Sequence, residues 1–178
     1  MNEHRHGDWM QTYTGGAFWP LDPRPADIRF ADIVSALSKL CRYGGHCSKF
    51  YSVAEHCVLM AECAPRELQL TALMHDASEA YLVDVPRPIK RYLTNYAEIE
   101  SNLERMISER FGLQFPLPDE IKSLDNAILA DERDQAMALP PQDWRLPEPP
   151  LGVTLRFWQP ADAAYQFTTA FYRYGGKA

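Results

Sequence analysis

Leu73-Met74-His75-Asp76-Ala77-Ser78-Glu79 sets an imidazole beside a carboxylate in a stretch that otherwise has the pattern of a buried amphipathic helix. Two polar groups in an apolar element are costly unless the fold brings partners to them. A divalent metal ion supplies that compensation directly. The pair therefore constrains the fold: other ligand-bearing segments must pack against this one. His56, in Val53-Ala54-Glu55-His56, and Asp125, in Ser123-Leu124-Asp125-Asn126, are the candidates to complete the shell.

On a helix, Ala72, His75 and Glu79 share a face, and Asp76 sits a hundred degrees round at its edge. His56 would come from a neighbouring helix and Asp125 from a third. Two imidazoles and two carboxylates suit Zn, Mn, Co or Fe better than Ca, with Mg a further candidate. The set leaves coordination positions for water and a phosphate oxygen. Each residue also has a plain reading. A single His in a helix is usually a satisfied core residue, and an Asp near a helix start is usually a cap. It is the set of four, in order and each on an expected helix, that points to a metal.

The rest of the chain reads as a mostly α bundle. Met10 to Trp19 holds Thr14-Gly15-Gly16 between β-prone runs and predicts a small N-terminal β hairpin. Asp27 to Leu40 is the first expected helix, with Ile28, Ala31, Ile33, Val34, Leu37 and Leu40 inward. Gly44-Gly45 breaks it. Ser52 reads as an N-cap, and Glu55 three residues on completes a capping box. That helix carries His56 to about Cys63. Pro65 opens a helix running through His75-Asp76 to about Leu82. Pro86 and Pro88 begin a short one through Tyr92. Tyr96 to Phe111 is a longer helix that Gly112 ends. Pro118 opens another, which carries Asp125 to about Met137. Pro140 to Pro150 is a loop. Pro160 to Tyr174 is the last helix, with Ala164, Phe167, Ala170, Phe171 and Tyr174 on one side.

With 178 residues the chain suits a single domain, 1–178, with a real core. A net charge of −6 argues against binding a nucleic-acid polymer or a membrane surface, since both want a basic face. The N-terminus, Met1 to Asp8, is polar, and no apolar run approaches membrane-spanning length. Cys41, Cys47, Cys57 and Cys63 form no CxxC pair, so reduced thiols in a cytoplasmic protein are expected.

Further candidates surround the ligand set. Glu79, one turn past His75, could orient water or act as a general acid or base; its plain role is a surface carboxylate. Asp84 could lie near the leaving oxygen, or could simply shape a turn. Arg42 could clamp a phosphate and Tyr43 pack on a sugar or base, although an arginine there also answers a helix dipole. His46 and Lys49 could face an anion. Lys90 and Arg91 read more simply as a solvated basic face.

Arg42-Tyr43, Val53-Ala54-Glu55-His56, Met74-His75-Asp76-Ala77-Ser78-Glu79, Asp84-Val85-Pro86-Arg87-Pro88-Ile89-Lys90 and Leu124-Asp125 together resemble the HD-domain phosphohydrolase superfamily. The similarity runs from roughly residue 30 to 135 and is close to the 5′-deoxynucleotidase branch and related phage or prophage proteins. It implies an HD-type helical bundle. It also implies His56, His75, Asp76 and Asp125 as metal ligands, Glu79 acting on the attacking water, Asp84 assisting near the scissile bond, and Arg42 holding the phosphate. Where that family often has tryptophan after the arginine, this chain has Tyr43. The Gly44-Gly45-His46 and Thr14-Gly15-Gly16-Ala17-Phe18 segments look more like the phage-related members, some of which act on deoxynucleoside triphosphates.

Three functions are therefore expected, in this order. The first is a metal-dependent hydrolase converting a 5′-deoxynucleoside monophosphate to nucleoside and phosphate. The second is a deoxynucleoside triphosphate triphosphohydrolase, for which His46, Lys49, Lys90 and Arg91 supply cations. The third is a non-catalytic nucleotide-binding regulatory module. Phe167, Phe171, Tyr172 and Tyr174 are candidates for a homo-oligomer contact, and core packing explains them equally well.

Overall fold

The structure is a computed structural model that describes residues 4–178. Of the polar N-terminal stretch, Met1 to Glu3 lie outside the described residues. The described residues are mostly helical with one two-stranded antiparallel sheet. In that sheet β1 (Met10–Gln11) pairs with β2 (Ala17–Phe18), in the register Met10 to Phe18 and Gln11 to Ala17. This is the expected hairpin. It is tied to α1 (Phe30–Leu37) by buried Asp32, whose Oδ1 accepts from the Thr14 amide at 2.7 Å.

At the centre lies α2 (Val53–Cys63), every residue of which from Val53 to Ala61 is buried. It packs against α1, α3 (Gln69–Met74), α7 (Asp119–Ala136) and α8 (Pro160–Arg173). Aromatic rings close the far side of the core, where Phe30 stacks on Phe171 with centroids 3.9 Å apart. Phe18 of the hairpin stacks on Tyr81 at 4.0 Å. α6 (Tyr96–Phe111) ends where expected, at Gly112 with φ 66°. There the absence of a Cβ makes the left-handed turn cheap.

Four local expectations change. The first helix is shorter: Pro25–Asp27 is a 3-10 turn, Ile28 is extended, and Ala31 faces solvent while Phe30 and Asp32 are buried. The capping box is only half made. Ser52 Oγ accepts from the Glu55 amide at 3.1 Å, but the Glu55 carboxylate turns away to accept the amides of Arg156, Phe157 and Trp158 at 2.6, 2.9 and 2.7 Å. The helix expected from Pro65 to Leu82 is broken into a 3-10 turn (Arg66–Leu68), α3, a tight turn and α4 (Glu79–Leu82). Finally, α5 is only Arg87–Lys90. On α8, Phe167 and Phe171 belong to the core, Tyr174 is half-buried and Tyr172 is exposed. Among the described residues no helix is long and apolar enough to cross a membrane.

Candidate metal centre

Three elements converge on one point. His56 comes from α2, where the Ser52 cap fixes the first turn and full burial fixes the ring. His75 and Asp76 follow α3. His75 is its C-cap and keeps helical angles, φ −62° and ψ −35°, so the pair leaves the helix still in register. The following turn is tightened by Ala77 N to Met74 O and Glu79 N to Asp76 O bonds, both 3.0 Å. Asp125 comes from α7, which Pro118 opens with its fixed φ.

The donor atoms are close. His56 Nε2 lies 3.4 Å from His75 Nε2, 3.5 Å from Asp76 Oδ2 and 3.4 Å from Asp125 Oδ1. His75 Nε2 lies 3.1 Å from Asp76 Oδ1. Two ligand atoms each about 2.1 Å from one ion stand about 3.0 Å apart at a right angle and about 3.4 Å apart at the tetrahedral angle. The observed spacings are those of the edges of a coordination polyhedron. His56, His75 and Asp125 could together hold a metal ion, as could Cys57, His75 and Asp76. Asp76 Oδ2 is buried and accepts no hydrogen bond. The residues therefore fit a divalent cation.

The imidazoles are oriented for this. His75 Nδ1 is 2.8 Å from the Ala72 carbonyl, and His56 Nδ1 is 2.7 Å from Glu132 Oε1. Both partners can only accept, so each Nδ1 carries a proton and each Nε2 turns toward the other ring and the carboxylates. The electrostatics ask for positive charge here. Burial opposes protonation of His75, yet Asp76 outweighs it and raises the ring well above the usual histidine range. Burial and Arg42 oppose protonation of His56, but Glu132 and Asp125 outweigh them. Burial likewise opposes ionisation of Asp125 and Asp76, but the histidines hold both carboxyls below their ordinary value.

Beside this cluster lies a pocket of about 530 Å³. His75, Asp76, Glu79 and Asp125 are on its wall, and Lys90, Glu100, Glu104, Leu117, Asp119 and Lys122 are among the other lining residues. Glu79 Oε2 is buried without a hydrogen-bond partner. Burial, together with Asp76 and Asp84, pushes the Glu79 carboxyl well above the usual carboxylate range. Burial of this kind favours the protonated carboxyl relative to an exposed one. Asp84 is half-buried just past α4 and is not on the pocket wall. Lys90 Nζ donates to Glu100 Oε1 at 2.6 Å.

The expected anion-facing residues sit elsewhere. Arg42 is 7% exposed, with Nη2 3.0 Å from Glu132 Oε2 and Nη1 3.7 Å from Asp76 Oδ2. Its guanidinium thus faces Glu132 behind the cluster and Asp76 within it, while its Nε is buried without a hydrogen-bond partner. The Tyr43 hydroxyl donates to the same Glu132 oxygen, and its ring tilts against Trp144 at 5.9 Å. His46 is exposed, and Lys49 Nζ lies over the Phe157 ring at 4.9 Å. Arg91 stacks on Tyr92 at 4.9 Å. None of the five lines the pocket. The four cysteines are unpaired, and Cys57 Sγ is 3.9 Å from His75 Nδ1.

Two residues of the site escaped the sequence reading. Arg87 Nη2 donates to Asp125 Oδ2 at 2.5 Å. Glu132 is fully buried and gathers Arg42, Tyr43, Tyr51 and His56. Glu132 did have a signal: it is seven residues past Asp125 on one helix, two turns along the same face.

Over 125 residues the chain is 41% identical to the uncharacterized protein YfdR of Escherichia coli (strain K12), a match spanning 70% of each chain. The chain belongs to the YfdR family. A second relative in that comparison, an uncharacterized protein of Rhodobacter capsulatus, is 36% identical over 124 residues, covering 64% of this chain and 63% of that protein. No family model matches the chain. For this YfdR-family protein the chemical reading thus rests on the geometry above.

Proposed function

We propose that this protein is a divalent-metal-dependent phosphohydrolase of the HD-domain type that acts on deoxynucleotides, first of all a 5′-deoxynucleoside monophosphate. The observation that carries the reading is the meeting of two Nε2 atoms and two carboxylates from three separate elements, at ligand spacing, beside a pocket that His75, Asp76 and Asp125 line. The H…HD…D order and the Glu79 and Asp84 positions support it by resemblance.

His56, His75, Asp76 and Asp125 would hold the ion. When bound, it would supply Lewis-acid polarisation of a phosphoryl oxygen and would lower the pKa of water. Glu79, whose Oε2 has no hydrogen-bond partner, would take or give a proton at the reacting oxygen. Arg42 supports the cluster from behind by offsetting the charge of Asp76 and Glu132. The charges lining the pocket beyond the ligands support the monophosphate reading over the triphosphate one. The pocket carries Glu100 and Asp119, with the Glu104 carboxyl raised to about 7, against Lys90 and Lys122, and Lys90 is already engaged by Glu100. A triphosphate tail would meet like charge there. Unpaired cysteines suit a reducing compartment such as the cytoplasm.

The test is a screen of deoxynucleoside mono-, di- and triphosphates with Mn, Co, Zn, Fe and Mg, with products identified. Orthophosphate from a monophosphate is expected. Release of triphosphate would replace this reading with a triphosphohydrolase. Tight nucleotide binding without turnover under every metal would make the protein a regulatory module.

A further inference from the structure

Glu132 lies behind the ligand cluster, at the point where α7 crosses α2, with no exposure to solvent. Its two oxygens face different partners. Oε2 accepts from Arg42 Nη2 at 3.0 Å and from the Tyr43 hydroxyl. Oε1 accepts from the Tyr51 hydroxyl at 2.9 Å and from His56 Nδ1 at 2.7 Å. Burial opposes ionisation, but Arg42 and His56 outweigh it and hold the carboxyl at about 2. A buried carboxylate receiving four donors leaves none of them free to rotate.

We infer that Glu132 is a positioning residue for the metal centre: by accepting the hydrogen bond from His56 Nδ1–H it fixes the tautomer whose Nε2 lone pair would face a bound ion. An imidazole has one proton to place when neutral, and the hydrogen bond made by one nitrogen decides what the other presents. The same carboxylate holds Arg42 beside Asp76, so one residue sets both a ligand's lone pair and the charge behind its neighbour. Arg42 and Tyr43 thereby act as the far side of this support. The inference rests on the metal site proposed above.

Glu132→Gln is the discriminating variant, because the amide is the same size but has only one accepting end. The amide oxygen is drawn to the Arg42 and Tyr43 donors, which turns the NH2 toward His56 Nδ1 and makes that nitrogen the acceptor. The proton then moves to Nε2, the position that faces the ion. Calorimetric titration of the metal-free protein with Mn, Co and Zn is expected to show affinity about ten- to a hundredfold weaker in the variant. Nitrogen-15 shifts of His56, at a pH where the ring is neutral, are expected to show Nδ1–H in the wild type and Nε2–H in the variant. Tyr51→Phe removes a donor to the same oxygen and keeps the His56 bond, so its metal affinity is expected to stay close to wild type.

The inference is overturned if folded Glu132→Gln binds metal as tightly as wild type. It is equally overturned if Tyr51→Phe loses as much affinity as Glu132→Gln, since packing would then be the cause. If Glu132→Gln does not fold, the wild-type tautomer decides alone: Nε2–H on His56 sinks the idea. A wild-type protein that binds none of the three metals defeats the proposed function itself, a different outcome from either of these.

Discussion

Arg42 shows how a side chain's partners redefine it. At the end of a helix and before two glycines it reads as a phosphate clamp, but its guanidinium is buried against Glu132 and Asp76. Removing one partner of a buried ion pair leaves the other charge uncompensated and costs about 3–5 kcal/mol. Arg42→Ala is therefore expected to lower stability by that order in urea unfolding. A variant of wild-type stability with a raised KM alone would return Arg42 to the phosphate. Glu79 is the opposite case, a buried carboxyl whose Oε2 no protein group satisfies. Glu79→Ala is expected to lower kcat about a hundredfold or more, as for the loss of a general acid or base, while metal binding by calorimetry stays intact. Near-normal turnover in the metal-loaded variant would remove Glu79 from the chemistry.

At the scale of elements, each ligand is held by a different local device. α2 is started by the Ser52 cap and enclosed by its neighbours. The His75-Asp76 pair is presented by the exit from α3 rather than by a helix interior, so both side chains reach one point. α4 then ends at Val83 with φ 62° and ψ 162°, a conformation open to glycine and strained for a β-branched residue. Val83 is 55% exposed, so little burial offsets the strain. Val83→Gly is expected to stabilise the fold by about 1 kcal/mol, the strain relieved less the entropy of glycine in the unfolded chain. A fall in Tm on that substitution would show that Val83 packing outweighs its backbone.

Across the whole molecule, charge buried in and behind the pocket ties stability to pH. Burial and Glu100 raise the Glu104 carboxyl to about 7, against the opposing pull of Lys90. Between about 4.5 and 7 the unfolded chain has released this proton and the native one retains it. Stability from this group is therefore lost as pH rises through that window and levels off above it. Glu132 has the opposite sign: held at about 2, it contributes above its unfolded value, and that contribution is lost as pH falls from about 4.5 toward 2. Urea unfolding of the metal-free protein across pH 2–9 is expected to show both limbs. Glu104→Gln should flatten the one between 4.5 and 7; an unchanged slope there would assign it to another group.

The sequence by itself determined what local physics controls. The Thr14-Gly15-Gly16 turn, the Ser52 cap, the Gly112 stop and the prolines at 118 and 160 set the hairpin and four helices, because those signals act within a few residues. The four donor residues were legible for a related reason: His75-Asp76 in an apolar run demands partners, and His56 and Asp125 lie on segments able to supply them. The tertiary structure decided which charges are spent inside. Asp131-Glu132-Arg133-Asp134 has the composition of a solvated surface, and only the packing of α7 on α2 turns Glu132 inward beneath His56. Glu55 looked like half of a capping box until the segment 156–158, a hundred residues away, offered it three amides. Hydrogen-bond partners that distant in the chain leave no periodicity in it, since they depend on where whole helices dock rather than on neighbouring residues.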